Sequence, residues 1–277
     1  MLACGGMLPA IGSLNAWQAI ILGIVQGFTE LLPVSSSAHL YVMPTLLGWT
    51  YEGLAFDVAL HGGTLIALVI AFRDDWWSLA RDAVHRDSEV RRSSHGLWLK
   101  LIVATIPAAI VGKLLDDVAE THLRSLALQA AMLAIFGGLL WAADRFLPRG
   151  RDTNRPGWAE AMSMGFAQCL ALVPGVSRSG ITMTAGRVAG LSRVAAARFS
   201  FLLATPITLG ALVLKVPELP PGLPVGTLLL AVASAAISGL VAIKLLLRLL
   251  RHTGFGVFFA YRVALAAWIL ISIGNQG

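Results

Sequence analysis

Charged residues are scarce in this chain. Of its 277 residues only 13% are Asp, Glu, Lys or Arg, against about 25% in ordinary soluble domains, while 57% are hydrophobic. A soluble fold could not bury that much apolar surface. The composition therefore excludes a soluble globular enzyme and indicates a membrane protein.

Cysteines and the common cofactor motifs are scarce as well. Cys4 and Cys169 are the only two cysteines, so we expect neither a disulfide framework nor a thiolate metal site. The sequence has no Walker loop, zinc-ligand motif or dinucleotide fingerprint. Its net charge of +6 is better explained by loop residues that orient the chain in a membrane than by a nucleic-acid partner.

Long apolar runs dominate instead. Six of them are close to the roughly 20 residues that a bilayer-spanning helix needs. They lie at 54–72, 98–115, 125–145, 195–216, 224–249 and 256–274. Two further apolar stretches, 16–47 and 158–190, are interrupted by Pro, Gly and Ser. The predicted fold class is an all-α polytopic membrane protein with about six transmembrane helices and two re-entrant helical hairpins.

The two interrupted stretches resemble each other at an offset of 142 residues. Gly23 to Gln26 and Val34 to Ser37 match Gly165 to Gln168 and Val176 to Ser179. This echo predicts a single membrane domain, 1–277, with a first repeat over 16–145 and a second over 158–274. Each repeat would hold one hairpin and three spans, and this odd number of crossings inverts the second repeat, as in many transporters.

Loop charge predicts the orientation. If the N-terminus lies outside, the inside loops are 73–97, 145–157, 187–198 and 248–255, which hold 14 of the 21 Lys and Arg residues. The outside loops 48–53, 116–124 and 217–223 hold only Arg124. This distribution follows the positive-inside rule. The two hairpins would enter from opposite sides, with tips near the midplane that line a cavity or are covered by protein.

The first hairpin carries a polar motif. Gln26 and Glu30 lie four residues apart on one helix face, and Ser35, Ser36 and His39 follow Pro33. An ionisable side chain at this depth is costly, so Glu30 is expected to be functional, the alternative being a carboxyl satisfied by neighbouring Ser and backbone groups. A single serine here is typical of a helix cap, whereas a serine cluster beside a histidine favours nucleophilic or acid–base chemistry.

The second hairpin carries a phosphate-binding pattern. Ser177, Arg178, Ser179 and Thr182 lie among glycines before a predicted helix. Backbone N–H groups, a helix N-terminus and a guanidinium together favour an anion. The two glycines that follow His61 in the first span suit tight helix packing, and His61 itself is expected to hydrogen-bond across helices, outside this site.

These motifs, in this order and membrane context, resemble the undecaprenyl pyrophosphate phosphatase (bacitracin-resistance) family over nearly the whole chain. The resemblance implies a bacterial inner-membrane enzyme whose site faces the periplasm. It would hydrolyse undecaprenyl pyrophosphate to undecaprenyl phosphate and inorganic phosphate, recycling the lipid carrier for cell-wall synthesis and conferring bacitracin resistance. The implied partners are this substrate and membrane lipid, with no nucleic acid, and a homodimer is left open.

The resemblance also implies roles for individual residues. The catalytic residues would be Glu30, Ser36, His39 and Arg178, and the substrate phosphate would bind Ser35, Ser177, Arg178, Ser179 and Thr182. Gln26 and Glu30 would hold Mg²⁺ or Ca²⁺, although Gln26 supplies no negative charge. Ser36, His39 or water remains open as the nucleophile. The alternative function is an inverted-repeat lipid transporter or flippase.

Overall fold

The computed structural model describes residues 14–115, 125–148, 150–219 and 223–275. The structure is 82% helix, and no strand occurs in the described ranges. The described helices, numbered in chain order, are α1 Ala16–Leu31, α2 Ser36–Leu47, α3 Leu54–Ala71, α4 Arg73–Ala83, α5 Ser88–Leu114, α6 Leu126–Phe146, α7 Trp158–Ala167, α8 Arg178–Val188, α9 Arg193–Lys215, α10 Val225–His252 and α11 Gly256–Gly274.

The six predicted spans are confirmed. The helices α3, α5, α6, α9, α10 and α11 are each long and apolar enough to cross a membrane. The largest difference in a boundary is that α5 begins at Ser88 rather than at residue 98. The Asp87 side chain accepts the N–H group of Glu89 at 2.8 Å and caps this start. Apolarity predicts where a helix enters lipid, but a capped polar turn can extend the same helix into water.

Helix α1 is packed against α10, and α10 in turn packs on α3. Glycines allow the close approach of α1: a Cβ atom on Gly27 would lie only 2.5 Å from the carbonyl oxygen of Ala235 and 2.7 Å from the amide nitrogen of Gly239. Small residues of this kind let membrane helices meet backbone to backbone. The packing goes with the burial of the polar residues Gln26, Thr29 and Glu30 of α1 inside the protein.

The two interrupted stretches form two helical hairpins, α1–α2 and α7–α8. Their connections are called here the first tip (residues 32–35) and the second tip (residues 173–177). Ser35 and Ser177 both have a φ of 73°, and they are the only non-glycine residues of the described ranges with positive φ. Such a conformation is strained for a residue with a Cβ atom. The internal duplication stays a prediction, and this matched backbone supports it.

One end of the helix bundle is rich in ion pairs. The ion pairs are Asp75–Arg198 at 2.6 Å, Asp82–Arg155 at 3.7 Å and Asp144–Arg193 at 2.5 Å. The N–H group of Phe255 also donates to Asp144 at 3.0 Å. Together these contacts connect the four loops that the sequence predicts to lie inside. The loops therefore share one end, called here the charged end. The predicted loop 116–124 lies outside the described residues.

An apolar cluster marks the opposite end. It gathers Leu14, Trp49, Leu219 and Leu223, so the start of α1 lies beside the chain after α2 and near the segment before α10. At the charged end, Arg151 pairs with Glu160 in α7, and Arg187 at the end of α8 donates to the Leu191 carbonyl at 2.6 Å. The first hairpin therefore begins and ends at the end with the apolar cluster, and the second hairpin begins and ends at the charged end. Their re-entrant placement in a bilayer stays a prediction.

Candidate active site

The two tips meet on the carboxylate of Glu30, near the end of α1. This side chain is buried, with a residue exposure of 6%. Its Oε1 atom accepts a hydrogen bond from the Arg178 guanidinium. Its Oε2 atom accepts the Ser36 hydroxyl at 2.5 Å and lies 3.1 Å from Nε2 of His61. One carboxylate therefore joins Ser36, one of the candidate nucleophiles, to Arg178, the predicted phosphate-binding arginine.

The partners of Glu30 stand at two helix N-termini. Ser36 is the first residue of α2 and Arg178 is the first residue of α8. The residue before α2, Ser35, makes no side-chain cap, whereas the Ser177 hydroxyl accepts the Gly180 N–H group at 3.2 Å and caps α8. Two N-termini that face one point favour an anion there, through free N–H groups and the helix dipoles.

The other two hydroxyls of the second motif, those of Ser179 and Thr182, bond to protein groups. The Ser179 hydroxyl lies 3.1 Å from the carbonyl oxygens of both Glu30 and Leu32, and it donates to this first-hairpin backbone. The Thr182 hydroxyl lies 2.8 Å from the Arg178 carbonyl and 2.6 Å from the Ser200 hydroxyl. A hydroxyl has a single proton, and both of these side chains donate theirs to protein carbonyls. Arg178 is therefore the principal side-chain donor of the second motif for a phosphate.

His39 faces away from Ser36. Its Nδ1 atom lies 2.7 Å from the carbonyl oxygen of Ser35, and its Nε2 atom lies 2.7 Å from the hydroxyl of Tyr261 in α11. The two rings stack with centroids 5.7 Å apart and an interplanar angle of 6°. Both ring nitrogens are therefore engaged elsewhere. The hydrogen-bond partner of Ser36 is Glu30.

Arg262, next to Tyr261 in α11, was missed by sequence reasoning. This side chain is fully buried, its acceptors among the described residues are all backbone carbonyls, and it reaches both tips. The acceptors are Pro33 at 3.3 Å, Leu133 at 2.8 Å, Met132 at 3.2 Å, Gly175 at 2.8 Å and Val176 at 3.0 Å. No motif surrounds it, and its one sequence signal is a cation inside an apolar span.

The expectation for His61 was wrong, because the structure brings this residue to the site. It contacts Glu30, and its Nδ1 atom lies 2.6 Å from the Asp57 carbonyl oxygen. Both partners can only accept, so both ring nitrogens act as donors unless the carboxyl itself carries the proton. The signal that could have found His61 is the same as for Arg262: an ionisable side chain within a span.

Gln26 is fully buried, and neither atom of its side-chain amide has a hydrogen-bond partner in the described part of the chain. Such a group calls for a ligand, an ion or a water molecule. Within the described ranges no three His, Cys, Asp or Glu side chains converge as for a metal ion. The oxygens of Gln26 and Glu30 nevertheless fit Mg²⁺, which takes one or two protein carboxylates and completes its shell with water and substrate phosphates.

Comparison with known proteins places the chain in a family. The profile of the family described as bacitracin resistance protein BacA matches residues 19–268. A protein of Gemmatimonas aurantiaca named undecaprenyl-diphosphatase is 49% identical over 95% of this chain and 100% of its own length. Proteins with the same name from Pelotomaculum thermopropionicum and Desulforudis audaxviator are each 43% identical, over 95% and 93% of this chain and 99% and 98% of their own lengths. The chain belongs to the bacitracin resistance protein BacA family.

Proposed function

We propose that this protein is an integral membrane undecaprenyl-diphosphatase, which hydrolyses undecaprenyl pyrophosphate to undecaprenyl phosphate and inorganic phosphate. Membership of the family and the names of the three relatives support this activity. The observation that carries it is the buried Glu30 carboxylate, which joins the hydroxyl of Ser36 to the guanidinium of Arg178. A hydroxyl, a base and a phosphate-binding cation are what phosphoryl transfer requires.

The contacts support a serine nucleophile. Arg178 and the N–H groups at the starts of α2 and α8 bind the terminal phosphate. The Ser36 oxygen forms a bond to phosphorus while its proton passes to Glu30 Oε2, 2.5 Å away, and the bond from phosphorus to the oxygen of undecaprenyl phosphate breaks. Water then attacks the phosphorus of the phosphoserine, the bond to the Ser36 oxygen breaks, the proton held by Glu30 returns to Ser36, and inorganic phosphate leaves with both protons of the water. The Ser35 hydroxyl lies 3.2 Å from that of Ser37, and the Ser177 hydroxyl lies 3.3 Å from that of Ser179.

Two other nucleophiles are separable by experiment. In the first alternative water attacks directly and Ser36 only binds phosphate. In the second His39 becomes phosphorylated, which requires Nε2 to leave the Tyr261 hydroxyl, since Nδ1 is bonded to the Ser35 carbonyl. Both predict that no phosphate becomes attached to Ser36.

A divalent cation is part of the proposal. Gln26 and Glu30 are the residues that would hold Mg²⁺ or Ca²⁺, through an amide oxygen and a carboxylate oxygen. A bound cation would offset the charge of the pyrophosphate. Glu30 is already bonded to Arg178, Ser36 and His61, so the protein contributes few free oxygens and the substrate phosphates would supply others.

The proposed location is the bacterial inner membrane, with the site open to the periplasm. The chain is multi-pass, and its predicted inside loops share the charged end. There the enzyme would regenerate the lipid carrier of cell-wall synthesis and consume the lipid target of bacitracin. The alternative of a lipid transporter has no support from the relatives, all three of which are named as diphosphatases.

The test is phosphate release from an isoprenyl pyrophosphate by detergent-purified protein, because hydrolysis needs no second compartment and transport does. We expect release by the wild type and a loss of about 10²-fold or more in Ser36→Ala. Ser37→Ala is the matched control, since the Ser37 hydroxyl contacts only that of Ser35 among the described residues.

Acid quenching with a labelled terminal phosphate should leave label on the wild type and none on Ser36→Ala. Absence of release would refute the function, and a wild type that carries no acid-stable label would refute the serine nucleophile.

A further inference from the structure

The hydrogen bonds of His39 define which of its ring nitrogens carries a proton. The carbonyl oxygen of Ser35 can only accept, so Nδ1, 2.7 Å away, is the donor in this bond. Nε2 of the neutral ring is then an acceptor, and the Tyr261 hydroxyl at 2.7 Å donates to it. His39 thus links α11 to the first tip through a directed chain of two hydrogen bonds. Neither bond involves Ser36, Glu30 or Arg178.

The carbonyl that His39 holds belongs to a strained residue. Ser35 has a φ of 73°, and the next residue is Ser36, the proposed nucleophile. Strained backbone of this kind persists only where surrounding contacts fix it. Arg262 holds the carbonyl of Pro33 at 3.3 Å, two residues before Ser35. Tyr261 and Arg262 are adjacent in α11, so one turn of this helix supports the first tip at two carbonyls.

We propose that His39 is a positioning residue for Ser36 rather than its base, and that Tyr261 acts through His39. The ring braces the Ser35 carbonyl and so fixes the direction in which the Ser36 hydroxyl leaves the start of α2. The hydroxyl of Tyr261 keeps the ring in the orientation that presents Nδ1–H to Ser35. This inference rests on the proposed phosphatase function, in which Glu30 accepts the Ser36 proton.

Two amide substitutions separate positioning from proton transfer. In His39→Asn the amide nitrogen lies near the place of Nδ1 and can still donate to Ser35, whereas in His39→Gln it reaches toward the place of Nε2. We expect the Asn variant to stay within about tenfold of the wild-type kcat, the effect of one perturbed hydrogen bond, and the Gln and Ala variants to lose about 10²-fold. Asn cannot titrate, so any limb of the pH profile of kcat that came from proton transfer by His39 would disappear in His39→Asn. Because we assign His39 a positioning role, we expect the profile to keep the wild-type shape. The ionisable groups that face His39 are Tyr261 and Arg262.

Tyr261→Phe tests the hydrogen bond from Tyr261 to His39, because it keeps the stacked ring and removes the hydroxyl. We expect kcat to fall about three- to tenfold with little change in KM. In the His39→Asn background the same change should have no further effect, since Asn offers nothing in place of Nε2. Tyr41→Phe is the matched control, because Tyr41 packs edge-on against Tyr51 and lies outside the site. All variants are compared by thermal unfolding in the same detergent.

The outcomes distinguish this inference from the proposed function. If the wild type releases no phosphate, the function itself fails. If the wild type is active but His39→Asn is as inactive as His39→Gln, or its pH profile loses a limb, His39 transfers protons and the positioning role is overturned. Additive effects of Tyr261→Phe and His39→Asn would show that Tyr261 does not act through His39.

Discussion

At the scale of single residues, the buried ionic groups are of two kinds. Glu30 and Arg178 are paired through their side chains, and both belong to the place where the tips meet. Arg262 has no carboxylate partner among the described residues and is satisfied by backbone carbonyls of α6 and of both tips. A charge removed from water needs either arrangement. The first kind can rearrange around a substrate, and the second kind fixes the backbone.

Replacement of Arg178 tests the first kind. Arg178→Lys keeps the charge but loses the planar fork that can bind a phosphate with two nitrogens. We expect kcat/KM for phosphate release to fall about 10²–10³-fold, the range for a lost transition-state donor. Arg198→Lys is the matched control, since Arg198 pairs with Asp75 at the charged end, and its activity should stay near that of the wild type. Near-normal turnover in Arg178→Lys would remove Arg178 from the site.

The carboxylate and the neighbouring amide of α1 make a second test. Glu30→Gln removes the base for Ser36 and also the carboxylate that would bind the divalent cation. We therefore expect phosphate release to fall about 10²–10⁴-fold. Gln26→Glu adds a charge beside the same site, and this variant should remain active and respond to lower Mg²⁺ concentrations after chelation. Activity that is indifferent to chelator in the wild type, or that survives in Glu30→Gln, would contradict the cation proposal.

At the scale of helices, the site depends on how closely α1 lies against α10. Gly27 stands one turn before Glu30, and a Cβ atom there would meet backbone atoms of α10. The polar face of α1 is therefore placed by a backbone-to-backbone contact. Movement of α1 away from α10 would carry Glu30 away from Arg178 and Ser36.

Gly27→Ala should consequently destabilise the protein, because the added methyl group forces α1 and α10 apart. We expect a loss of about 1–3 kcal/mol, as for overpacking of a core, with reduced activity. Gly210→Ala in α9 is the control: nothing lies within 4 Å of a Cβ atom at that position. Its higher helix propensity should leave stability unchanged or raise it by up to about 1 kcal/mol. Thermal unfolding in detergent measures both, and equal melting temperatures would argue against the close contact.

At the scale of the whole molecule, the ion pairs gather the cationic loops at one end. This end joins the segments around Asp75, Arg155, Arg193 and Phe255, whereas the segments around Trp49 and Leu219 meet at the other. A bilayer would separate the two ends, with the positive loops inside. The side to which the tips open decides whether the enzyme acts on periplasmic or cytoplasmic pyrophosphate.

Labelling of intact cells with an impermeant thiol reagent tests this orientation. In a cysteine-free background, a cysteine at Pro217 should react and a cysteine at Thr153 should not, because the Arg151 and Arg155 region is expected inside. With the native Cys4 restored as the single cysteine, we expect labelling of Cys4, and we also expect labelling of a single cysteine placed near residue 120; both positions lie outside the described residues. Reaction at Thr153 without reaction at Pro217 would reverse the topology, and the site would then have to serve the cytoplasmic side.

The sequence by itself determined the membrane class, the six spans and the two polar motifs. These features are local: an apolar run of membrane length, or a polar cluster that interrupts one, is visible without knowledge of neighbouring helices. The spacing of four between Gln26 and Glu30 likewise predicts a shared helix face. Where helices extend beyond lipid, as at the capped start of α5, apolarity no longer marks the boundary.

Only the tertiary structure decided which side chains meet. His61, Tyr261 and Arg262 come from α3 and α11, far along the chain from the tips they contact, and no motif spacing connects them with either hairpin. Sequence proximity likewise cannot choose between Glu30 and His39 as the partner of Ser36, because both lie within a few residues of it. In the folded chain, the strained turn at Ser35 directs the Ser36 hydroxyl to Glu30. The His39 ring points instead toward Tyr261 in α11.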